Sequence, residues 1–204
     1  MRRLPILLVA ALILTAAVVL RVTGATRSAS ATPDAAAPPA PVVPYAEASL
    51  KAFRTRAGAP VAGLEGGAGS RDSLVLLFAH ALDRSDTPAL RALALNAREF
   101  AWLYYPASPQ SRPPYELDAD LMWEQIQARS MRGITRALRQ YGGGQLGYRG
   151  YECSGQPERN GVVTLHNACR IVHTVDGRTV TEPLFGSIIE HGGHFKLVGF
   201  SNRL

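Results

Sequence analysis

Few residues in this chain have the types and spacing that chemistry needs, and His173 and Glu182 come nearest. Asp176-Gly177 lies between two apolar runs. That is a hairpin signal, because a type I′ turn needs positive φ at both central positions. With those two as the loop, Val175 pairs with Arg178, His173 with Val180, Ile171 with Glu182 and Cys169 with Leu184. Side chains alternate across a strand, so His173 and Glu182 fall diagonally on one face with Ile171. An imidazole beside a carboxylate can serve as a general base. The plainer reading, an exposed pair near the strand ends, is preferred.

The other histidines offer less. His191 and His194 bracket the turn Gly192-Gly193. Two histidines at a hairpin tip could share a metal, but zinc wants three or four protein ligands and no third is evident. They read as exposed turn residues, and no metal or other cofactor is expected. His80 lies between Ala79 and Ala81 in an apolar helix. It reads as a helix-edge residue, or as a helper to His173 if the helix lines a pocket. Cys153 and Cys169 are the only cysteines. In an exported domain such a pair is a structural disulfide before it is a reactive thiol. A turn at Asn160-Gly161 sets residue 168 opposite Cys153, and one bulge makes that Cys169.

Arg129, Arg132, Arg136 and Arg139 are spaced 3, 4 and 3 residues apart. On a helix that puts four guanidinium groups on one face. The face is either an anion or phospholipid-headgroup surface or simply solvated, the second being preferred. There is no G-x-S-x-G, H-E-x-x-H, Walker A or G-x-G-x-x-G signature.

The elements that must position these residues fall into two blocks. From Ser70 to Tyr141 the pattern is helical; from Tyr148 to Leu204 it reads as antiparallel strands. Ser70 or Asp72 caps a helix to about Leu82, with Leu74, Leu77, Phe78 and Ala81 as its buried stripe. Thr87 as N-cap and Pro88 at the first helical position open a second helix, running to Pro106. Asp118 or Asp120 opens a third through Tyr141, with Ile126, Ile134, Leu138 and Tyr141 facing inward. Gly133 weakens it by ~1 kcal/mol relative to alanine. Ala46 to Arg56 reads as a further short helix, and the five glycines between Gly58 and Gly69 as a mobile loop. Trp102, Tyr104, Tyr105 and Trp123 flank the proline-rich loop Pro106 to Pro114 and read as packing. In the strand block, Gly192-Gly193 pairs Glu190 with Phe195 and Ile188 with Leu197. Pro183 cannot donate to a ladder, so an edge or bulge is expected there.

This order of elements resembles the nuclear transport factor 2-like (SnoaL-like, cystatin-like α+β) superfamily, over about residues 70–204. The resemblance is carried by the helix pair Phe78-Ala79-His80-Ala81-Leu82-Asp83 to Leu90-Arg91-Ala92-Leu93. The closing strand Gly193-His194-Phe195-Lys196-Leu197-Val198-Gly199-Phe200 adds to it. It implies an α+β cone: three helices packed on a curved antiparallel sheet of about four strands. Members of that superfamily include isomerases, dehydratases, dimerisation modules and domains without known activity. Only His173 and Glu182 could stand in for the Asp/His sets of its enzymes.

Before the domain come two segments of different kind. Residues 1–24 read as a signal peptide or N-terminal membrane anchor: Arg2 and Arg3, then 17 uncharged residues from Leu4 to Leu20. That run is at the boundary between a secretory core of ~7–15 residues and a spanning helix of ~17–25. Residues 25–44 are an Ala/Pro-rich linker, and 45–204 a single α+β domain. Either fate of the first segment exports the domain, to a periplasmic, inner-membrane-anchored or secreted position. Arginine outnumbers lysine 20 to 2, which fits a GC-rich bacterial genome. Arg2, Arg3, Arg21 and Arg27 precede residue 32 and no acid does, which leaves +2 for residues 32–204 of a net +6. So small a charge does not argue for a nucleic-acid partner.

The expectation is therefore an exported bacterial envelope protein, non-catalytic, binding a small apolar ligand or a protein partner. The alternative is a small pocket enzyme of isomerase or dehydratase type using His173 with Glu182. Apolar residues on both sides of the last strand, Leu197 against Val198 and Phe200, hint at a homodimer.

Overall fold

The structure, a computed structural model, describes residues 45–144 and 146–201. The apolar segment and linker expected before Tyr45 lie outside the described residues. Among the described residues no helix is long and apolar enough to cross a membrane.

Helices come first and strands second, as the two sequence blocks require. Helix α1 (Tyr45–Ala57) buries Phe53 edge-on against Phe100, with ring centroids 5.2 Å apart. Helix α2 (Arg71–Asp83) starts where Ser70 Oγ accepts the Ser73 N–H at 3.0 Å. Its buried side is Leu74, Val75, Phe78, Ala79, Ala81 and Leu82. Leu77, expected in that stripe, is 45% exposed, next to Leu76 at 42%. The helix is turned so that Val75 and Ala79 face inward in its place.

The second helix differs most from expectation. Helix α3 (Thr87–Ala92) is capped by Asp86, whose carboxylate accepts the Ala89 N–H at 3.0 Å, and not by Thr87. It stops at Ala92 because Leu93 to Leu95 leave the helix to bond the last strand. Leu197 N–H donates to Leu93 O at 2.8 Å and Leu95 N–H to Leu197 O at 2.9 Å. Backbone pairing outcompetes helical propensity there. Asn96 then restarts the helix with a capping box shared with Glu99. Short helix α4 (Ala97–Glu99), a π-helical turn (Phe100–Tyr104) and α5 (Tyr105–Ala107) follow. Helix α6 (Ala119–Tyr141) is capped by Asp118, which accepts the Leu121 N–H at 3.0 Å.

Among the described residues the strands form two antiparallel sheets, not the single curved sheet expected. One has the order β1 (Tyr148–Cys153), β4 (Cys169–Val175), β5 (Arg178–Glu182). The other has the order β2 (Glu158–Asn160), β3 (Val163–His166), β6 (Ile188–His191), β7 (His194–Leu197). The chain changes sheet three times. It does so after Cys153, between His166 and Cys169 where Ala168 takes φ 51°, and after Glu182 where Pro183 ends the ladder. The Asp176-Gly177 hairpin has the expected register, Val175 opposite Arg178, His173 opposite Val180 and Ile171 opposite Glu182. Leu184 is not paired with Cys169, because the strand stops at Glu182. Glu190 faces Phe195 and Ile188 faces Leu197, with no slip. The β2–β3 loop is Gly161-Val162, since Asn160 pairs with Val163.

The core is filled by α2 against both sheets. Phe78 lies 5.4 Å from Phe185 and 5.9 Å from Phe200 between ring centroids. Leu197, Val198 and Phe200 are all buried inside the chain, so the last strand offers no open apolar face. Gly133 proves to be a contact point. A Cβ there would come 2.3 Å from Ser201 O and 2.9 Å from Phe200 Cβ. One turn earlier Ser130 Oγ accepts the Phe200 N–H at 3.1 Å. The glycine loop before α2 is held as well: Ala68 and Phe195 exchange both backbone hydrogen bonds, at 3.0 and 2.8 Å.

Candidate functional site

The β4–β5 hairpin brings His173 to the end of α6. His173 Nε2 lies 3.5 Å from Glu182 Oε1, and the Tyr141 ring stands edge-on to the imidazole at 5.0 Å. Tyr141 Oη donates to the Glu182 carboxylate, 2.9 Å from each oxygen. Gln140 Nε2 in turn donates to Tyr141 Oη at 2.8 Å. Burial, and then the bond to Glu182, push the Tyr141 phenol well above its ordinary value. His173 is fully buried, which the exposed-pair reading did not foresee. Neither of its ring nitrogens has a hydrogen-bond partner. A general base must reach its proton at about 2.6–3.2 Å. No nitrogen of His173 meets solvent, so the atoms of this group that an outside molecule can touch belong to Glu182 and Tyr141.

His80 does not join them. It is exposed on α2, on the side away from the buried stripe. His191 and His194 face each other across the β6–β7 turn, His194 exposed. Among the described residues no three His, Cys, Asp or Glu side chains gather as a metal site requires. Cys153 and Cys169 are bonded and sit opposite each other in the β1–β4 register. Such a bond belongs to oxidising, exported compartments.

Two further charged groups were not expected. His166, almost closed to solvent, has Nε2 2.9 Å from Glu190 Oε2 and Nδ1 3.4 Å from Arg71 Nη1. With arginine as the only possible donor to Nδ1, the proton of the neutral ring sits on Nε2, facing the carboxylate. Beside them the Tyr151 phenol is pushed up by burial and by its hydrogen bond to Asp72. The other group is Lys196 with Glu99. Lys196 Nζ donates to Glu99 Oε2 at 2.8 Å, to Oε1 at 3.1 Å and to Glu65 O at 3.1 Å. Glu99 also accepts the N–H of Glu65 at 2.6 Å and of Asn96 at 2.8 Å. Every hydrogen-bonding group of this pair is answered from inside the chain. In the sequence the only trace was the Asn96-x-x-Glu99 spacing of a capping box.

Trp102, Tyr105 and Trp123 pack as expected. Trp102 Nε1 donates to Gly58 O at 3.1 Å under the Arg54 guanidinium, and Tyr105 Oη to Leu117 O at 2.7 Å. The four arginines of α6 share one face: Arg129, Arg132 and Arg139 are exposed and Arg136 half-buried. Met131, Arg132, Thr135, Arg136 and Arg139 line a shallow open hollow. No family model, curated protein or solved structure matches this chain.

Proposed function

We propose that this is an exported bacterial envelope protein whose domain acts by binding at its surface and not by catalysis. The observation that carries the reading is the burial of His173, the best acid–base candidate, behind Tyr141 and Glu182 with no nitrogen open to a substrate. The disulfide supports export. Phe78, Phe185 and Phe200 occupy the space between α2 and the strands. That favours a protein or other surface partner over a small apolar ligand held inside. Helices followed by antiparallel strands support a nuclear transport factor 2-like relation; the split into two sheets weighs against a close one.

Native mass spectrometry of the chain taken from its host's envelope tests this. Bare chains, alone or with a protein partner, are expected. A co-purifying small molecule that is lost in His173→Leu and in Glu182→Gln would overturn the reading. One observation favours the isomerase or dehydratase alternative: both buried nitrogens of His173 are unsatisfied, which is a cost a fold seldom carries without use.

A further inference from the structure

We infer that the arginine face of α6 is a docking surface for anionic phospholipid headgroups. This rests on the surface-binding and export reading above and names the partner. Helix α6 has its acids, Asp120 and Glu124, in its first two turns, and Gln125 to Tyr141 contains four arginines and no acid. Three arginines outside this stripe meet a carboxylate within the fold: Arg56 meets Asp120, Arg84 meets Asp86 and Arg98 meets Glu65. On α6, Arg129, Arg132 and Arg139 are exposed, and no carboxylate salt bridge to them occurs among the described residues.

Apolar surface lies within the same hollow. Met131, 41% exposed, lines it beside Arg132, Thr135, Arg136 and Arg139. Guanidinium groups bordering an exposed thioether suit the headgroup boundary, where phosphates meet acyl chains. A free oxoanion would have no use for the methionine. Nucleic acid is disfavoured by the net +2 of residues 32–204 and by a disulfide that belongs outside the cytoplasm. The uncharged run Leu4 to Leu20 gives an independent reason for a bilayer to be close. Each basic side chain near an anionic leaflet raises affinity about five-fold.

The test is arginine footprinting of the full chain reconstituted with vesicles, using a dicarbonyl reagent read by mass spectrometry. On vesicles rich in phosphatidylglycerol, Arg129, Arg132 and Arg139 should react several-fold more slowly than on phosphatidylcholine vesicles, and high salt should restore reactivity. Arg170, exposed on the outer side of β4, should react equally on both. The double variant Arg132→Glu, Arg139→Glu should lose protection at Arg129 while keeping its disulfide and its denaturation midpoint. Equal reactivity on the two vesicle types overturns the inference. So does equal protection by inorganic phosphate without vesicles, or protection that appears only when envelope proteins are added. Flotation with phosphatidylcholine vesicles reports insertion of the apolar run separately, so failure of the anchor and failure of the arginine face are distinguishable.

Discussion

Lys196 Nζ lies 2.8 Å from Glu99 Oε2, with both side chains closed to solvent. The pair ties β7 to the last residue of α4 and, through Glu65, to the loop before α2. Removing one partner leaves the other charge buried and unanswered, which costs about 3–5 kcal/mol. Lys196→Met is expected to lower stability by that order in chemical denaturation. Replacing both, Lys196→Met with Glu99→Leu, should cost less than the sum of the two single changes, and a double-mutant cycle reads the difference.

His173 gives up no hydrogen bond when replaced, because neither nitrogen makes one. An apolar side chain of similar size relieves the desolvation of those atoms, worth about 1–3 kcal/mol. His173→Leu should therefore leave the denaturation midpoint unchanged or raise it. A clear fall would show that the 3.5 Å contact with Glu182 carries stability after all.

Tyr141 links stability to alkaline pH. Its phenol ionises later in the folded chain than in the unfolded one, so the folded state favours the proton. That contribution is complete below the ordinary tyrosine value of about 10 and is lost as pH rises through the folded value. Stability should fall in the alkaline range, and Tyr141→Phe should flatten the fall. The variant should also lose about 1.5 kcal/mol near neutrality with the bond to Glu182. Denaturation midpoints measured across pH, with phenolate absorbance followed alongside, check both.

Reduction of Cys153–Cys169 opens a loop of sequence separation 16. Chain entropy sets the loss at about 3 kcal/mol. The paired variant Cys153→Ala, Cys169→Ala should show the same loss and no further response to reductant.

Gly133→Ala should destabilise, although alanine is the better helix former by about 1 kcal/mol. The added Cβ meets Ser201 O at 2.3 Å, a backbone atom and not the far end of a flexible side chain. An overpacking cost of about 1–3 kcal/mol exceeds the propensity gain. A rise in thermal midpoint would show that the segment yields.

The parts legible in the sequence were those governed by local rules. Asp176-Gly177 and Gly192-Gly193 set two hairpins because positive φ at both loop positions leaves few alternatives. The Cys153–Cys169 bond was expected, but the turn at Asn160-Gly161 offered for it is not there: the bond closes across β1 and β4, while the turn between them is Gly161-Val162 and belongs to the other sheet. What stayed hidden was decided at long range. Leu93 to Leu95 have helical composition and become a β-bridge because Leu197 arrives beside them. The change of sheet at Ala168 has no signal in an alanine, a residue that seldom takes positive φ. Within the candidate site the His173–Glu182 spacing was legible, but its burial was not, because α6 brings Tyr141 over it from outside the hairpin.

Strand β7 and the residues after it also bond to groups far back along the chain. Residues 195–201 complete hydrogen bonds begun by Ala68, Leu93, Leu95, Ser130 and Leu184, elements made long before. None of those groups can close its bonds until residues 195–201 have been made. Contacts of such sequence separation make folding slow and leave little to stabilise a partial domain.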